Sequence, residues 1–108
     1  MSSVAIVDDN PMALALMRKT LERAGFSDIR AYSDPQTALD AIRADLPSVL
    51  LLDYVMPQMD GLDFLRRLKD EGLSTRLPVA LVSNSADLDG VRMEAYRAGA
   101  VEVLRKPS

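Results

Sequence analysis

The sequence predicts an α/β fold in which a parallel sheet is packed between helices. Short apolar runs alternate with amphipathic stretches of helical length from one end of the chain to the other. The runs at 49–52 and 79–82 are apolar at every position, as expected of strands buried on both faces. Helix-entry signals recur as Asn10-Pro11 and Asp34-Pro35. Short connections between these elements imply right-handed crossovers within one doubly wound sheet.

The individual elements follow in strict alternation. Strands are predicted over residues 4–8, 28–32, 48–53, 78–83 and 101–104. Helices are predicted over residues 11–24, 35–44, 62–70 and 87–98. Gly25, Gly72 and Gly99 are the expected helix stops. The chain therefore reads as five strands and four helices, with no internal repeat.

Composition limits the possible functions. The 108 residues, 48% of them hydrophobic, suffice for one domain with a single core. With no Cys and no His, the chain offers no disulfide, thiolate site, serine triad or phosphohistidine, and it lacks the usual zinc ligands. A net charge of −3 argues against electrostatic binding of nucleic acid. We see neither a signal peptide nor a membrane-spanning run, and expect a soluble cytoplasmic domain without membrane contact.

Acidic residues follow two of the apolar strands. Asp8 and Asp9 end the first strand, and Asp53 ends the third. If those strands are neighbours, three carboxylates meet at one edge, where ligands bind in open α/β sheets. Crowded carboxylates are best neutralised by a hard divalent cation such as Mg²⁺. Ser83 and Lys106 follow other strands at the same edge, so a phosphoryl group there would meet a hydroxyl and an ammonium. Taken singly, each of these residues is more often a helix cap, a turn former or a solvated side chain.

The order of these residues resembles the receiver domain of bacterial response regulators. The resemblance covers essentially the whole chain, 1–108. It is carried by Asp8-Asp9, the stretch Leu51-Leu52-Asp53-Tyr54-Val55-Met56-Pro57-Gln58-Met59-Asp60-Gly61, Val82-Ser83, Ala98-Gly99-Ala100 and Lys106-Pro107. It implies a flavodoxin-like sheet of five parallel strands in the order 2-1-3-4-5. It also implies a signalling module of a two-component system or phosphorelay, and not an enzyme beyond its own phosphorylation and dephosphorylation.

The resemblance also implies a metal site. Asp9 and Asp53 would bind Mg²⁺, for which Mn²⁺ can substitute. The backbone carbonyl of Val55 would be a third ligand, and Asp8 would act largely through a metal-bound water.

The same resemblance assigns the phosphoryl chemistry. Asp53 would be the phosphoacceptor, which becomes a 4-aspartylphosphate. Ser83 would move onto the phosphoryl group, and Lys106 would pair with it, aimed inward by a cis Lys106–Pro107 bond. The donor would be a phosphohistidine on a sensor histidine kinase or a histidine phosphotransfer protein.

Several positions depart from the family pattern. Val103 stands where many receivers have an aromatic residue that reports phosphorylation, and Asn84 occupies a position that is usually small. Val55 and Ser85 hold the positions that tune attack by water, and neither side chain can orient a water as a carboxylate or carboxamide does. We therefore expect a slowly hydrolysing aspartyl phosphate.

Two expectations concern partners. On the first helix Met12 and Leu16 lie opposite the inward stripe, and we interpret them as a docking surface for the histidine-bearing helices or as incidental exposure. The sequence stops at Ser108, where receivers continue into a fifth helix, which predicts an open apolar face. A longer regulator with a C-terminal output domain, a free-standing receiver without that helix, and self-association or a partner covering the face are all open interpretations.

Other functions fit the sequence less well than this one. A receiver-like scaffold that is never phosphorylated would not need the complete set of acidic, hydroxyl and ammonium groups. A metal-dependent phosphatase with an aspartyl nucleophile commonly carries a second carboxylate two residues later, where this chain has Val55. A flavin carrier is disfavoured because the chain has no phosphate-cradling loop and no Trp.

Overall fold

A computed structural model of the chain describes residues 2–84, 86 and 88–106. The described strands are β1 Ser3–Val7, β2 Asp28–Tyr32, β3 Val49–Asp53, β4 Val79–Ser83 and β5 Glu102–Arg105. The described helices are α1 Pro11–Arg23, α2 Pro35–Ala44, α3 Gly61–Asp70 and α4 Leu88–Arg97. Each predicted element is present, and no observed end differs from the predicted end by more than one residue. The proposed cis bond and the tuning residue Ser85 lie outside the described residues, because Pro107 and Ser85 are not among them.

The five strands form one parallel sheet in the order β2-β1-β3-β4-β5. This order confirms the predicted flavodoxin-like arrangement. β1 lies between β2 and β3, and the register pairs Val7 with Leu52. The residues that follow β1 and β3 therefore leave the sheet side by side, which is the condition for a shared site.

Alternation along the strands divides the core between the two faces of the sheet. One face carries Leu50, Leu52 and Leu81, which pack with α2, α3 and α4 in the larger hydrophobic cluster. The other face carries Val4 and Ile6, which pack with α1 in the smaller cluster. Both sets are almost fully buried, so the apolar strand patterns that predicted a two-sided sheet are confirmed.

The face that carries α1 also has an apolar groove near β5. Its volume is about 160 Å³, and its lining residues are Met17, Thr20, Leu21, Leu51, Val82, Leu104 and Arg105. Leu104 is 45% exposed on this face. This part of the face is therefore apolar and accessible to solvent.

Side-chain caps fix where the helices begin. Asn10 Oδ1 accepts hydrogen bonds from the N–H groups of Met12 (2.9 Å) and Ala13 (3.3 Å) at the start of α1. Asp60 and Asp63 form a reciprocal capping box at the start of α3. Both caps hold a helix N-terminus beside the carboxyl edge of the sheet. In the described part of the chain, no helix is long and apolar enough to cross a membrane.

Candidate functional site

The carboxyl edge of the sheet brings together the five polar residues that the sequence singled out. Asp8 and Asp9 directly follow β1, Asp53 is the last residue of β3, and Ser83 is the last residue of β4. Lys106 directly follows β5, and its backbone N–H donates a 3.1 Å hydrogen bond to the carbonyl oxygen of Ser83. The shared edge is a consequence of parallel strands, whose carboxyl ends all point the same way.

The ammonium group of Lys106 lies against two carboxylates. Its Nζ atom is 2.6 Å from Asp8 Oδ2 and 3.3 Å from Asp53 Oδ1. The exposed fraction is only 1% for Asp8 and 6% for Asp53. A buried carboxylate pair of this kind requires a cation for its charge to be tolerated, and Lys106 supplies one.

Burial sets the proton affinities of this cluster. Burial, with the charge of Asp8 as a smaller cause, raises the pKa of Asp53 to about 6, although Lys106 opposes the rise. Burial works to lower the pKa of Lys106, but its interactions with Asp8 and Asp53 outweigh that effect and raise it above the ordinary value. At neutral pH Asp53 is therefore mostly ionised, and Lys106 is charged.

Asp8 links the site to the first helix. Its Oδ1 atom accepts a 3.0 Å hydrogen bond from the backbone N–H of Asn10, the residue that caps α1. Its buried Oδ2 atom forms a 2.6 Å ion pair with the Lys106 ammonium and faces the cluster.

The acidic cluster fits a hard divalent cation. One carboxylate oxygen from each of Asp8, Asp9 and Asp53 lies within 4.8 Å of the others, and Asp9 is exposed to solvent. Oxygen ligands with room for water are what Mg²⁺ prefers. Val55 follows two residues after Asp53 and is 57% exposed, so its surroundings are open to solvent. The residues present are therefore suited to Mg²⁺, with Val55 as a ligand remaining a prediction.

The remaining predicted positions surround this cluster. Ser83 is buried at 2% exposure, and Val103 lies in the core at 3%. Asn84 is exposed and lines a groove of about 400 Å³ together with Met12, Leu16 and Lys106. Met12 and Leu16 are 82% and 50% exposed, so they lie outward as the helical pattern predicted. Their role in docking stays a prediction.

One contributor to the site went unrecognised in the sequence. Gly61, the first residue of α3, packs directly against the backbone of Asp53 and Tyr54. The Asp60-Gly61 pair carried the family resemblance, but a glycine after an aspartate also suits an ordinary turn. Only the three-dimensional structure shows that a side chain has no space there.

A comparison with protein families matches residues 4–108 to the model described as the response regulator receiver domain. This chain belongs to that family. Receiver domains bind Mg²⁺ through acidic residues, and they interact with histidine kinases or phosphotransfer proteins. They are generally non-catalytic, so any enzyme activity among relatives resides in other domains.

Curated relatives support the assignment. The response regulator PleD of Caulobacter vibrioides is 35% identical over 104 residues, which are 96% of this chain and 22% of PleD. The cyclic di-GMP phosphodiesterase response regulator RpfG of Xanthomonas campestris pv. campestris is 36% identical over 107 residues, 97% of this chain and 28% of that protein. The chain thus spans less than a third of the length of these relatives.

Solved structures share the fold. The chemotaxis protein CheY4 of Vibrio cholerae superimposes with a TM-score of 0.87 over all of this chain and 88% of its own, at 24% identity. The receiver domain of NtrX from Brucella abortus gives a TM-score of 0.83 at 27% identity, over 98% of this chain and 87% of its own. The predicted family and fold are therefore confirmed.

Proposed function

We propose that this chain is a phosphorylation-controlled signalling module in which Asp53 accepts a phosphoryl group from a phosphohistidine. The observation that carries the proposal is the cluster around Asp53. Its carboxylate lies 3.3 Å from the Lys106 ammonium and shares the sheet edge with two further carboxylates. A nucleophile, a cation and metal-binding oxygens are the groups that phosphoryl transfer requires.

The transfer is a displacement at phosphorus. An Asp53 oxygen forms the new P–O bond while the P–N bond to the donor imidazole breaks. The bonding electrons pass to that nitrogen, and the leaving imidazole is neutral because its other nitrogen keeps its proton. Asp53 must be ionised to attack, and its pKa of about 6 leaves it ionised at pH 7.

Asp8, Asp9 and Asp53 would hold Mg²⁺, together with the backbone carbonyl of Val55. The bound ion supplies charge stabilisation for the phosphoryl oxygens. Asp8 is held by the Asn10 N–H, so its carboxylate is oriented before any ligand arrives. Mn²⁺, which has similar ligand preferences, should support the same transfer.

Ser83 and Lys106 would bind the phosphoryl group after transfer. The Lys106 ammonium is already 3.3 Å from Oδ1 of Asp53. The Ser83 hydroxyl ends the neighbouring strand β4 and would donate a hydrogen bond to a phosphoryl oxygen. Their movement toward the phosphoryl group would change the packing of the loop that follows β4.

Because residue 103 is a valine, phosphorylation cannot be signalled through the rotamer of an aromatic side chain at this position. The structure offers another connection: Arg92 of α4 donates a 3.0 Å hydrogen bond to the Val103 carbonyl oxygen and a 3.2 Å hydrogen bond to Asp89. This contact ties α4 to β5 directly. We propose that displacement of α4 against β5 conveys the switch to a partner.

The family and its relatives support the proposed partners. A sensor histidine kinase or a histidine phosphotransfer protein would supply the phosphoryl group, in the cytoplasm, through the surface of Met12 and Leu16. The relatives include a cyclic di-GMP phosphodiesterase and a protein-glutamate methylesterase. We propose that this domain controls an output domain or a separate partner in a comparable way, and that it does not itself bind nucleic acid.

The test uses a small phosphodonor and a matched variant. The protein is incubated with acetyl phosphate, with and without Mg²⁺, and its intact mass is compared with that of Asp53→Asn. A gain of one phosphoryl group that needs both Mg²⁺ and Asp53 supports the proposal. No gain from acetyl phosphate or from a panel of kinases would instead favour a binding scaffold that is never phosphorylated.

A further inference from the structure

Gly61 lies where a side chain would collide with the phosphoryl-accepting strand. A Cβ atom at this position would be 2.5 Å from Leu81 Cδ1, 2.7 Å from the Asp53 carbonyl oxygen and 3.0 Å from Tyr54 Cα. All three distances are shorter than ordinary carbon contacts, which begin near 3.5 Å. The backbone of α3 therefore approaches the end of β3 as closely as it does only because residue 61 has no side chain.

The neighbours of Gly61 have little freedom to move away. Leu81 is fully buried in β4, two residues before Ser83. The other two neighbours are backbone atoms of Asp53 and Tyr54, which cannot shift without moving the acceptor carboxylate or the start of its loop. A methyl group at residue 61 would thus be relieved mainly by displacement of the site itself.

Hydrogen bonds hold Gly61 in this place from both sides. Its N–H donates a 2.7 Å hydrogen bond to the carbonyl oxygen of Tyr54, which closes the loop containing Val55. On the helix side, Asp60 accepts a 2.9 Å hydrogen bond from the N–H of Asp63 and completes the capping box. Helix α3 and the end of β3 are therefore fastened together at this residue.

The other described glycines make no comparable contact. Apart from the adjacent residues and, in a helix, the backbone of the same helix, no described atom lies within 4 Å of a Cβ built on Gly25, Gly72 or Gly90. Gly99 has a positive φ of +112° and approaches only the Ser74 side chain, at 3.3 Å. Gly61 is thus set apart by contact with the backbone of the proposed nucleophile.

We infer that Gly61 is a positioning residue for phosphoryl acceptance. By allowing α3 to contact the Asp53–Tyr54 backbone, it fixes the Asp53 carboxylate and the following loop relative to Asp8, Asp9 and Lys106. The inference rests on the proposed function, since it concerns the same site. It assigns a role to a residue that touches neither the phosphoryl group nor the metal.

The central comparison is Gly61→Ala against Gly90→Ala. Gly90 lies near the start of α4 in open space, so its substitution makes the same chemical change without a collision. Mg²⁺ affinity is measured by calorimetry, and the rate of phosphorylation by acetyl phosphate is measured by intact mass. We expect Gly61→Ala to weaken both by about tenfold or more, since small misplacements of reacting groups have large effects. Gly90→Ala should leave both unchanged.

A double variant separates the collision with the Leu81 side chain from the collision with the Asp53 and Tyr54 backbone. Leu81→Val removes the Cδ1 atom nearest to the added methyl group but leaves the Asp53 and Tyr54 backbone in place. If the backbone contact positions the site, Gly61→Ala with Leu81→Val stays impaired in Mg²⁺ binding. Recovery to the affinity of Leu81→Val alone would overturn the inference.

The folding of each variant is checked, so that weaker Mg²⁺ binding cannot be attributed to unfolding. Affinities are compared under conditions where circular dichroism gives each variant the wild-type spectrum, with a protecting osmolyte added where needed. If the wild type neither binds Mg²⁺ nor gains a phosphoryl group, the proposed function fails. If the wild type does both and folded Gly61→Ala matches it, the proposed function stands and the positioning role of Gly61 is rejected.

Discussion

Nζ of Lys106 lies 2.6 Å from Oδ2 of Asp8, so the residue after β5 reaches the residue after β1. Strands β3 and β4 separate these two strands in the sheet. The ion pair therefore crosses the whole site and passes the Asp53 carboxylate on the way. The first prediction concerns the contribution of this ion pair to stability and the ability of a bound cation to replace the Lys106 ammonium.

Lys106→Met should destabilise the metal-free protein. Without the ammonium group, Asp8 and Asp53 remain buried with no cation beside them, at a cost of about 3–5 kcal/mol at pH 7. Urea unfolding with and without Mg²⁺ measures the effect, and Mg²⁺ should recover much of the loss. Lys19→Met, at an exposed position of α1, is the control. Equal destabilisation by both substitutions would show that the ion pair contributes nothing.

Asp53→Asn should stabilise the metal-free protein at neutral pH. The pKa of Asp53 is about 6 in the folded state and exceeds its ordinary value of 3.8. Between these two pH values the native state therefore holds a proton that the unfolded state releases. Stability from this group is therefore present below pH 3.8 and is lost as pH rises through about 6. By linkage, the loss is on the order of 2–3 kcal/mol.

The measurement is the free energy of unfolding of both proteins between pH 4 and pH 7.5 without Mg²⁺. The difference between the wild type and Asp53→Asn should grow in favour of the variant as pH rises. A difference that is independent of pH would contradict the raised pKa.

The sequence predicted the fold well because its signals are local. Asn10 and Asp34 accept the expected hydrogen bonds at the helix starts, and Gly25 adopts the positive φ of a helix stop. The convergence of Asp8 and Asp53 also followed, because parallel strands end at one edge. The family resemblance supplied the sheet order, which alternation alone leaves open.

The finer features of the site depend on three-dimensional packing. Nothing in the sequence indicates that Lys106 is nearer to Asp8 than to Asp53, or that Asp8 is buried while Asp9 is exposed. These differences arise from the direction in which each side chain leaves the sheet. The close contacts of Gly61 likewise depend on how α3 packs against β3.

Met12→Ala combined with Leu16→Ala should slow phosphoryl transfer from a histidine kinase. Both side chains are exposed on α1 beside the groove that reaches Lys106, so a docking helix would lose apolar contact there. Phosphorylation by acetyl phosphate should be unchanged because that donor needs no docking surface. Met93→Ala, at a 63% exposed position of α4, is the control. Equal loss with both donors would reject the docking surface.

Val55→Asn should shorten the lifetime of the aspartyl phosphate. Val55 is 57% exposed beside the site, and its side chain has no polar atom to orient a water, whereas a carboxamide does. Phos-tag electrophoresis after donor removal measures the decay, and slow decay is expected for the wild type. Val101→Asn, at a 60% exposed position away from the site, controls for the substitution. A wild-type half-life of seconds would contradict the expectation of slow hydrolysis.

The most direct test locates the phosphoryl group on the chain. After incubation with Mg²⁺ and acetyl phosphate, borohydride reduction converts an aspartyl phosphate into homoserine, which peptide mass spectrometry then assigns to a position. We predict homoserine at position 53, dependent on Mg²⁺. Homoserine at Asp8 or Asp9 instead, or at no position despite retained Mg²⁺ binding, would contradict the assignment of Asp53 as phosphoacceptor.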